Sequence, residues 1–228
     1  HGGKTNGYSV PNPHAHAEVI GEVFMRAGID PRTLSYLEAH GTGTSLGDPI
    51  EITVLTKTFR EYTDDDQFCA IGSVKSNIGH CESAAGIAGV TKVLLQLKHR
   101  HLVPSLHSES LNPNIDFAHS PLIVPQSLVE WPRPVVATRA DQGRAREYPR
   151  IAGVSSFGAG GSNAHVVIEE YVPDALVAER RSGVPALIPL TRSDNTDVKR
   201  AAVQALADIG GEAAIEAIVA LLKDQDPE

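Results

Sequence analysis

Short apolar segments alternate with amphipathic segments through the first 170 residues, and this alternation limits the possible folds more than any other feature. The amphipathic segments have helical spacing of their apolar side chains, whereas the short ones have the length and composition of strands. The helix candidates are residues 15–27, 49–60 and 83–99, and the strand candidates are residues 34–39, 68–74, 151–157 and 164–170. This order predicts a layered α/β fold, a mixed sheet with helices on both faces.

Local signals predict where the helices begin and end. Gly28 follows the first helix, where a helix C-terminus is expected. Asp48 is predicted to cap the second helix, with Pro49 at its first position. The helix over residues 83–99 begins with mostly Ala and Gly, which lowers its propensity but lets another backbone approach closely, so we expect it to be buried. Residues 101–149 are rich in proline and are predicted to be loops.

Charge and cysteine content argue against several classes of function. The 228 residues include 28 Asp and Glu against 20 Lys and Arg, a net charge of −8, whereas nucleic-acid-binding proteins are usually basic. No apolar run reaches the roughly 20 residues of a membrane helix, and no secretory leader is visible. Cys69 and Cys81 are too few for a disulfide framework and lack metal-site spacing. We therefore expect a cytoplasmic protein with no metal, nucleic acid or membrane partner. No bound cofactor is predicted either.

Three glycine-rich segments carry the residues that could take part in catalysis. The first, residues 38–51, reads EAHGTGTSLGDPIE and offers a histidine beside a backbone that a ligand can approach closely. Alone, such a histidine is as often structural. The second, residues 72–80, reads GSVKSNIGH and places Lys75 and His80 on one loop. Lys75 alone would be read as a surface charge. The third, residues 155–165, reads SSFGAGGSNAH, and its backbone N–H groups could form an oxyanion pocket.

Together and in this order, the three segments resemble the C-terminal half of a β-ketoacyl synthase (ketosynthase) of the modular polyketide synthase type, which has the thiolase-like fold. The resemblance covers about residues 1–192. The opening GKTNGY of residues 3–8, the VPNP of residues 10–13 and the turn AGGS of residues 159–162 look like synthases served by a separate acyltransferase. The implied activity is the decarboxylative Claisen condensation of malonyl carrier protein with an acyl thioester.

The resemblance implies catalytic roles for four residues. By position, His40 and His80 match the paired histidines that bind the malonyl thioester carbonyl and assist decarboxylation. Neutral imidazoles suit this task because their N–H donors gain strength as charge develops on the enolate oxygen. Lys75 matches the family lysine near both histidines, which pairs with the acid at Glu51. A partly buried ammonium needs such a partner.

Other residues match positions that contact the substrate. Thr42 and Thr44 correspond to threonines that hydrogen-bond the phosphopantetheine arm, and Asn77 and Gly158 are also assigned to substrate binding. Phe157 matches a gating phenylalanine whose backbone N–H helps hold the acyl thioester oxygen.

The implied partners follow from the same resemblance. The substrates are carried on the phosphopantetheine of an acyl carrier protein, and the complete enzyme would be a homodimer. Eight basic residues could contact an acidic carrier protein, and a solvated rim explains each of them equally well. They are Lys92, Lys98, Arg100, Arg133, Arg139, Arg144, Arg146 and Arg150.

One essential family residue has no counterpart here. The ketosynthase nucleophile is a cysteine well over a hundred residues before the first histidine, and only 39 residues precede His40. Cys69 lies in an apolar strand and is expected to be a core residue, while Cys81 adjoins His80 but is a poor replacement because sequence neighbours diverge at a helix start. The chain is therefore expected to be incomplete and inactive alone. It is a fragment, one subunit of a split synthase, or a non-catalytic interaction module that reuses the half-fold.

The end of the chain has a different composition. Residues 194–228 carry eight acidic side chains against three basic ones and no aromatic residue. Apolar side chains recur with helical spacing on either side of Gly210-Gly211, which resembles one unit of a HEAT-type repeat, although a plain helical linker has the same pattern. We predict three parts: a ketosynthase half over residues 1–175, a linker over residues 176–193, and a HEAT-like α-helical hairpin over residues 194–228.

Overall fold

The computed structural model describes Gly2 and residues 12–138, 143–172, 199–200 and 202–203. The chain divides into two units, His1–Glu170 and Tyr171–Glu228. The predicted linker, and all but four residues of the predicted HEAT-like hairpin, lie outside the described residues.

The described part of the first unit alternates helices and strands. Its α-helices are α1 (Pro13–Ala27), α2 (Gly47–Arg60), α3 (Lys75–Ile78) and α4 (Ala85–His99). Its strands are β1 (Leu34–Glu38), β2 (Cys69–Gly72), β3 (His101–Leu102), β4 (Leu122–Ile123), β5 (Val129–Glu130), β6 (Val135–Ala137), β7 (Ala145–Glu147), β8 (Ile151–Phe157) and β9 (Asn163–Glu169). Short 3-10 turns at Pro31–Thr33 and Glu82–Ala84 precede β1 and α4.

A five-stranded mixed sheet forms the centre, in the order β4-β2-β1-β8-β9. β1 pairs in parallel with β2 and β8, β2 pairs in parallel with β4, and β9 returns antiparallel to β8. Strands β1, β2 and β8 are almost entirely buried, as expected for parallel strands covered on both faces. The predicted mixed sheet is confirmed, and β4 is an additional edge strand within the segment predicted to be loops.

The sheet separates two hydrophobic cores. On one face α1 packs against α2 and β9, and the core there includes Phe24, Leu37 and Phe59. On the other face α4 packs against β8, around Trp131 and Tyr36. Helices therefore cover both faces, as the alternation predicted.

The helix ends follow the sequence signals only in part. Gly28 ends α1 in the left-handed conformation (φ 62°), which confirms the predicted stop. The prediction for Asp48 was wrong: α2 begins at Gly47, and the Asp48 side chain accepts a hydrogen bond from Gly43 N–H at 3.1 Å. The Asp48 carboxylate accepts this hydrogen bond because the backbone N–H groups of the turn before the helix also need an acceptor.

The small-residue helix is buried on one face only. Ala85, Gly89 and Val93 of α4 face the sheet. Leu94 and Leu95 on the outer face are about half exposed, at 52% and 51%. The expectation of a buried helix therefore holds for the face toward the sheet and not for the outer face. The proline-rich segment also differs from a plain loop, since β3 pairs with β5 and β6 with β7.

Candidate active site

The carboxyl ends of three neighbouring parallel strands meet at one edge of the sheet. β1 leads to His40, β2 leads to Lys75, and β8 ends at Phe157. Because β1 lies between β2 and β8, the loop that carries His40 is flanked by both other segments. Gly41 (φ 44°) fits this crossing, since a Cβ there would lie 2.9 Å from Ser73 Cβ. The sheet order thus brings the three glycine-rich segments together.

His40, His80 and Phe157 form one cluster. The ring centroids of His40 and His80 are 5.6 Å apart in an edge-to-face arrangement, and the centroids of His40 and Phe157 are also 5.6 Å apart. The Phe157 N–H donates to His40 Nδ1 at 3.3 Å, and the Glu82 N–H donates to His80 Nδ1 at 3.0 Å. A neutral histidine that accepts at Nδ1 carries its proton on Nε2. Both imidazoles therefore present an Nε2–H donor.

The environment of His40 keeps its imidazole neutral. Burial lowers the pKa of His40 to about 4, and the nearby positive charge of Lys75 and the His80 ring lower that pKa as well. At neutral pH His40 is a hydrogen-bond donor without a charge. His80 is more exposed than His40, at the open side of the cluster.

Glu51 supports the His40 loop from α2. Its carboxylate oxygens accept hydrogen bonds from His40 N–H at 2.8 Å and Gly41 N–H at 2.9 Å. Burial raises the pKa of Glu51 to about 7, against the opposing effect of these two N–H donors. Glu51 is thus close to its titration point at neutral pH.

The structure does not form the expected ion pair between Lys75 and Glu51. Within the described ranges, the buried ion pair beside the site joins Lys92 to Glu38, at 2.9 Å. Glu51 is already engaged by backbone donors, which explains why its carboxylate faces the His40 loop. Burial lowers the pKa of Lys75, and the carboxylates of Glu38 and Glu51, in that order, raise it.

Four of the residues assigned to substrate binding are exposed around this cluster, whereas Phe157 is buried at 8% exposure. Thr42 Oγ1 and Thr44 Oγ1 are 3.4 Å apart, and Thr44 Oγ1 accepts a hydrogen bond from Gly47 N–H at 3.0 Å. Asn77 is exposed on α3, and Gly158 follows β8. Two backbone donors expected to be free are engaged: the Phe157 N–H by His40, and the Gly158 N–H by the Ser162 carbonyl at 2.8 Å.

Two residues beside the site were missed from the sequence. His16 of α1 is buried and stacks on Phe157 with ring centroids 3.7 Å apart and planes 11° apart. Its position in an amphipathic helix gave no sign of this contact. Glu38 ends β1 in the first glycine-rich segment, and a charged side chain at the end of an apolar strand is the signal that could have identified it.

The burial of Cys69 confirms the sequence prediction for this residue. That residue is fully buried in β2, and burial raises the pKa of its thiol far above the usual range, so it is a core residue. Cys81 is half-buried, and its Sγ lies 3.8 Å from the Gly79 carbonyl oxygen.

Two of the basic residues considered for carrier-protein contact are unsuitable. Lys92 is buried against Glu38, and Arg150 is buried against Glu170 at 2.8 Å. Lys98, Arg100, Arg144 and Arg146 are exposed, and Arg146 lies over the Tyr148 ring. Arg133 bonds Glu170, and Arg139 lies outside the described residues.

The described residues contain no cluster of three or more His, Cys, Asp or Glu side chains suited to a metal ion. Nor does any helix within them have the length and apolar character needed to cross a bilayer.

Comparison with known sequences gives a consistent family assignment. Residues 1–109 match the β-ketoacyl synthase C-terminal domain, and residues 112–225 match the ketoacyl-synthetase C-terminal extension. Over 219 residues the chain is 62% identical to polyketide synthase PksL of Bacillus subtilis, which covers 95% of this chain and 5% of that protein. The chain therefore spans only a small part of the curated relatives that it matches.

Solved structures share the fold. An oxazolomycin ketosynthase domain, OzmH KS7 of Streptomyces albus JA3453, matches with a TM-score of 0.69 and 55% identity, over 76% of this chain and 29% of that one. The ketosynthase from module 6 of the bacillaene synthase of Bacillus subtilis 168 matches with a TM-score of 0.68 and 43% identity, over 85% of this chain and 34% of that one.

Proposed function

The chain belongs to the β-ketoacyl synthase family, as a C-terminal ketosynthase domain of modular polyketide synthases, and we propose that it provides the malonyl-binding part of the condensing site. The observation that carries the proposal is the pair of Nε2–H donors on His40 and His80, whose rings lie 5.6 Å apart. Two N–H donors so close together suit an acceptor oxygen that becomes negatively charged during reaction.

In the proposed reaction, the thioester carbonyl oxygen of malonyl carrier protein accepts hydrogen bonds from His40 and His80. The bond between the α-carbon and the carboxylate breaks, CO₂ leaves, and the electron pair remains as an enolate. The two histidines stabilise the enolate oxygen because their N–H dipoles are already oriented by Phe157 N–H and Glu82 N–H. The enolate carbon then attacks an acyl thioester, whose C–S bond breaks to release a thiolate.

Lys75 and Glu51 support the histidines in this proposal. The Lys75 ammonium lies close enough to lower the pKa of His40, which keeps that imidazole in the neutral donor form. Glu51 holds the backbone of the His40 loop through two hydrogen bonds. Thr42, Thr44, Asn77 and Gly158 lie exposed around the cluster, where they could contact a phosphopantetheine arm.

The acyl-accepting cysteine comes from outside this chain. Cys69 is enclosed in the sheet, and Cys81 follows the histidine whose ring it would have to face across the site. The solved ketosynthases that the chain matches are also much longer than the chain. We therefore propose that the remaining ketosynthase part supplies the nucleophile, in the same or a separate polypeptide.

The outer face of α4 gives that remaining part a place to dock. Exposed apolar side chains line a groove of about 680 Å³ between α4, α3 and the segment around Leu128. An apolar surface of this kind indicates an interface. Several further points stay predictions: the homodimer, the HEAT-like hairpin and the cytoplasmic location. The acyl carrier protein also stays a predicted partner, with Lys98 and Arg100 as candidate contacts.

The proposed function is tested in the complete ketosynthase by separating two half-reactions. His80→Ala is expected to slow decarboxylation of malonyl carrier protein about 10²- to 10³-fold while leaving acylation of the cysteine largely intact. His119→Ala, an exposed histidine before β4 at the opposite end of the sheet, is the control and should change neither rate. Decarboxylation by the His80 variant within about threefold of the unsubstituted enzyme would refute the role and favour the alternative, a non-catalytic interaction module.

A further inference from the structure

A buried ion pair lies directly behind the candidate active site. The Glu38 and Lys92 side chains are 2% and 6% exposed, and Lys92 Nζ lies 2.9 Å from Glu38 Oε2. Oε2 also accepts a hydrogen bond from the Tyr36 hydroxyl at 2.7 Å, and Oε1 accepts one from the Val74 N–H. The pair therefore connects β1, the loop after β2, and α4.

The backbone around the pair leaves room for these two side chains. A Cβ on Gly89 would lie 3.0 Å from Glu38 Cγ, and a Cβ on Gly72 would lie 3.3 Å from Lys92 Nζ and 3.0 Å from the Tyr36 hydroxyl. Lys92 Nζ has no well-aligned hydrogen-bond partner within the described residues, so its contact with the carboxylate is chiefly one of charge. Burying two charges is costly, and apolar residues in their place are often no less stable. Stability alone therefore does not account for the pair.

The hydrogen bonds of Glu38 point to a role in the site. Glu38 lies two residues before His40, and its Oε1 atom binds the N–H of the residue before Lys75. Val74 is also the N-cap residue of α3. One side chain thus ties the strand that carries the first histidine to the start of the segment that carries the lysine and the second histidine. The negative charge of Glu38 also raises the pKa of Lys75, and it does so more than the negative charge of Glu51.

We propose that Glu38, held in place by Lys92 and Tyr36, is a positioning residue that fixes the start of α3 and thereby sets Lys75 and His80 relative to His40. This inference rests on the proposed decarboxylation function. In this inference, Glu38 supports the malonyl-binding side of the site and does not contact the substrate.

The test compares two double variants in the complete ketosynthase, each free of an unpaired buried charge. Glu38→Gln/Lys92→Met retains an oxygen that can accept the Val74 N–H, whereas Glu38→Leu/Lys92→Met does not. The leucine variant is expected to lose about 10- to 100-fold in the rate of decarboxylation of malonyl carrier protein, with cysteine acylation within about threefold. The glutamine variant is expected to stay within about threefold in both.

A matched control uses the buried pair at the other end of the sheet. Arg150→Met/Glu170→Gln removes an ion pair of similar burial before β8 and after β9, and it should leave the ratio of the two half-reactions unchanged. If the leucine variant does not fold, Val74→Pro removes the donor instead, since the φ of −60° at Val74 suits proline, and the same selective loss is expected.

The inference is overturned if a folded variant that lacks the Glu38 acceptor or the Val74 donor loses both half-reactions in parallel, or loses neither. It is also overturned if the glutamine variant is as slow as the leucine variant. Failure of the proposed function has a different signature, because His40→Ala and His80→Ala would then decarboxylate the malonyl thioester at the unsubstituted rate.

Discussion

Two backbone N–H groups determine what His40 and His80 can do. The Phe157 and Glu82 N–H groups donate to the Nδ1 atoms, which leaves both Nε2 atoms protonated and free to donate. Either ring in the other tautomer would present a lone pair to an enolate oxygen and repel it. The chemistry of the two side chains is therefore set by main-chain atoms, one at the end of β8 and one before α4.

Glu51 should give the protein a distinctive pH dependence of stability. The pKa of its carboxyl is raised from 4.5 to about 7, so the folded state binds more protons than the unfolded chain between these values. The contribution of Glu51 to stability is therefore lost as the pH rises through this window. The free energy of unfolding of Glu51→Gln, relative to the unsubstituted protein, should increase from pH 5 to pH 8 by on the order of 2–3 kcal/mol.

Urea unfolding of the complete ketosynthase at several pH values measures this difference. The lowered pKa values of His40 and His165 act in the opposite direction, but they are common to both proteins and cancel. Glu130→Gln, on the exposed strand β5, is the control substitution. A flat or falling difference for Glu51→Gln would contradict the assignment.

Sequence motifs can predict which residues surround this site, but not how they are bonded. The His-Gly-Thr, Lys and Phe-Gly segments follow strand ends, so their meeting follows from a parallel sheet. The partner of Glu51 depends on the path of the loop over α2, within hydrogen-bond distances of 2.8 and 2.9 Å. The stack of His16 on Phe157 depends on how α1 lies across the sheet. Neither is encoded in local spacing.

At the level of elements, α4 has two faces with different roles. Its inner face carries Gly89 and Val93 against the sheet, and its outer face carries the exposed Leu94 and Leu95. The Ala and Gly content of the helix predicted close packing on the inner face. It could not predict the exposed outer face, because apolar residues such as Leu94 and Leu95 are ordinarily expected in a core.

Two helix glycines should respond oppositely to alanine. Nothing lies within 4 Å of a Cβ at Gly21 in α1, so Gly21→Ala should stabilise the protein by about 0.5–1 kcal/mol through helix propensity. At Gly89 the Cβ would meet Glu38 Cγ at 3.0 Å and Val154 Cγ1 at 3.3 Å. Glu38 is held by three partners and cannot move away, so Gly89→Ala should destabilise by about 1–3 kcal/mol. Denaturant unfolding compares them, and two stabilising substitutions would disprove the rigid packing at Gly89.

Helix and strand positions were predictable where a single periodic pattern decides them. β8 coincides with its predicted range, and α1 differs from its prediction only at the start, where the Asn12 side chain accepts from His14 and Ala15 N–H. The short strands from β3 to β7 were not predictable, because strands of two or three residues have no measurable period. Their pairing depends on tertiary contacts.

At the scale of the whole molecule, the described part of the first unit combines a hydrophobic core on each face of a sheet with a candidate active site at one sheet edge and an apolar outer helix face. The site offers N–H donors for an oxyanion, whereas the Cys69 thiol is buried in the sheet. These features fit one part of a larger catalytic domain.

The chain alone should not become acylated. Cys69 is inaccessible, and the Cys81 Sγ lies near the Gly79 carbonyl oxygen, on the residue next to His80 rather than across the site from it. Intact-mass analysis after incubation with an acyl thioester should show the unmodified mass. A stoichiometric adduct that disappears in Cys81→Ala would show that the chain has its own nucleophile.

The outer face of α4 should determine association with the rest of the ketosynthase. When the two parts of the ketosynthase are expressed separately, Leu94→Asp and Leu95→Asp should each weaken binding between the parts about 10- to 100-fold. Burial of one leucine side chain contributes roughly 1.5–3 kcal/mol. Leu111→Asp, at an exposed leucine outside α4, is the control. Unchanged binding of both α4 variants, measured by calorimetry, would assign the interface to another surface.

The pairing of β1 with β8 also has a consequence for the order in which the protein is made. Phe157 follows His40 by 117 residues, which takes a ribosome roughly 6–23 seconds at about 5–20 residues per second. During that time β1 has emerged but its neighbour on one side does not exist, so Tyr36 and Leu37 have an unprotected strand edge beside them. The tautomer of His40 is fixed only when the end of β8 arrives. Translation speed over residues 41–157 therefore sets how long a nascent chain exposes its central strand.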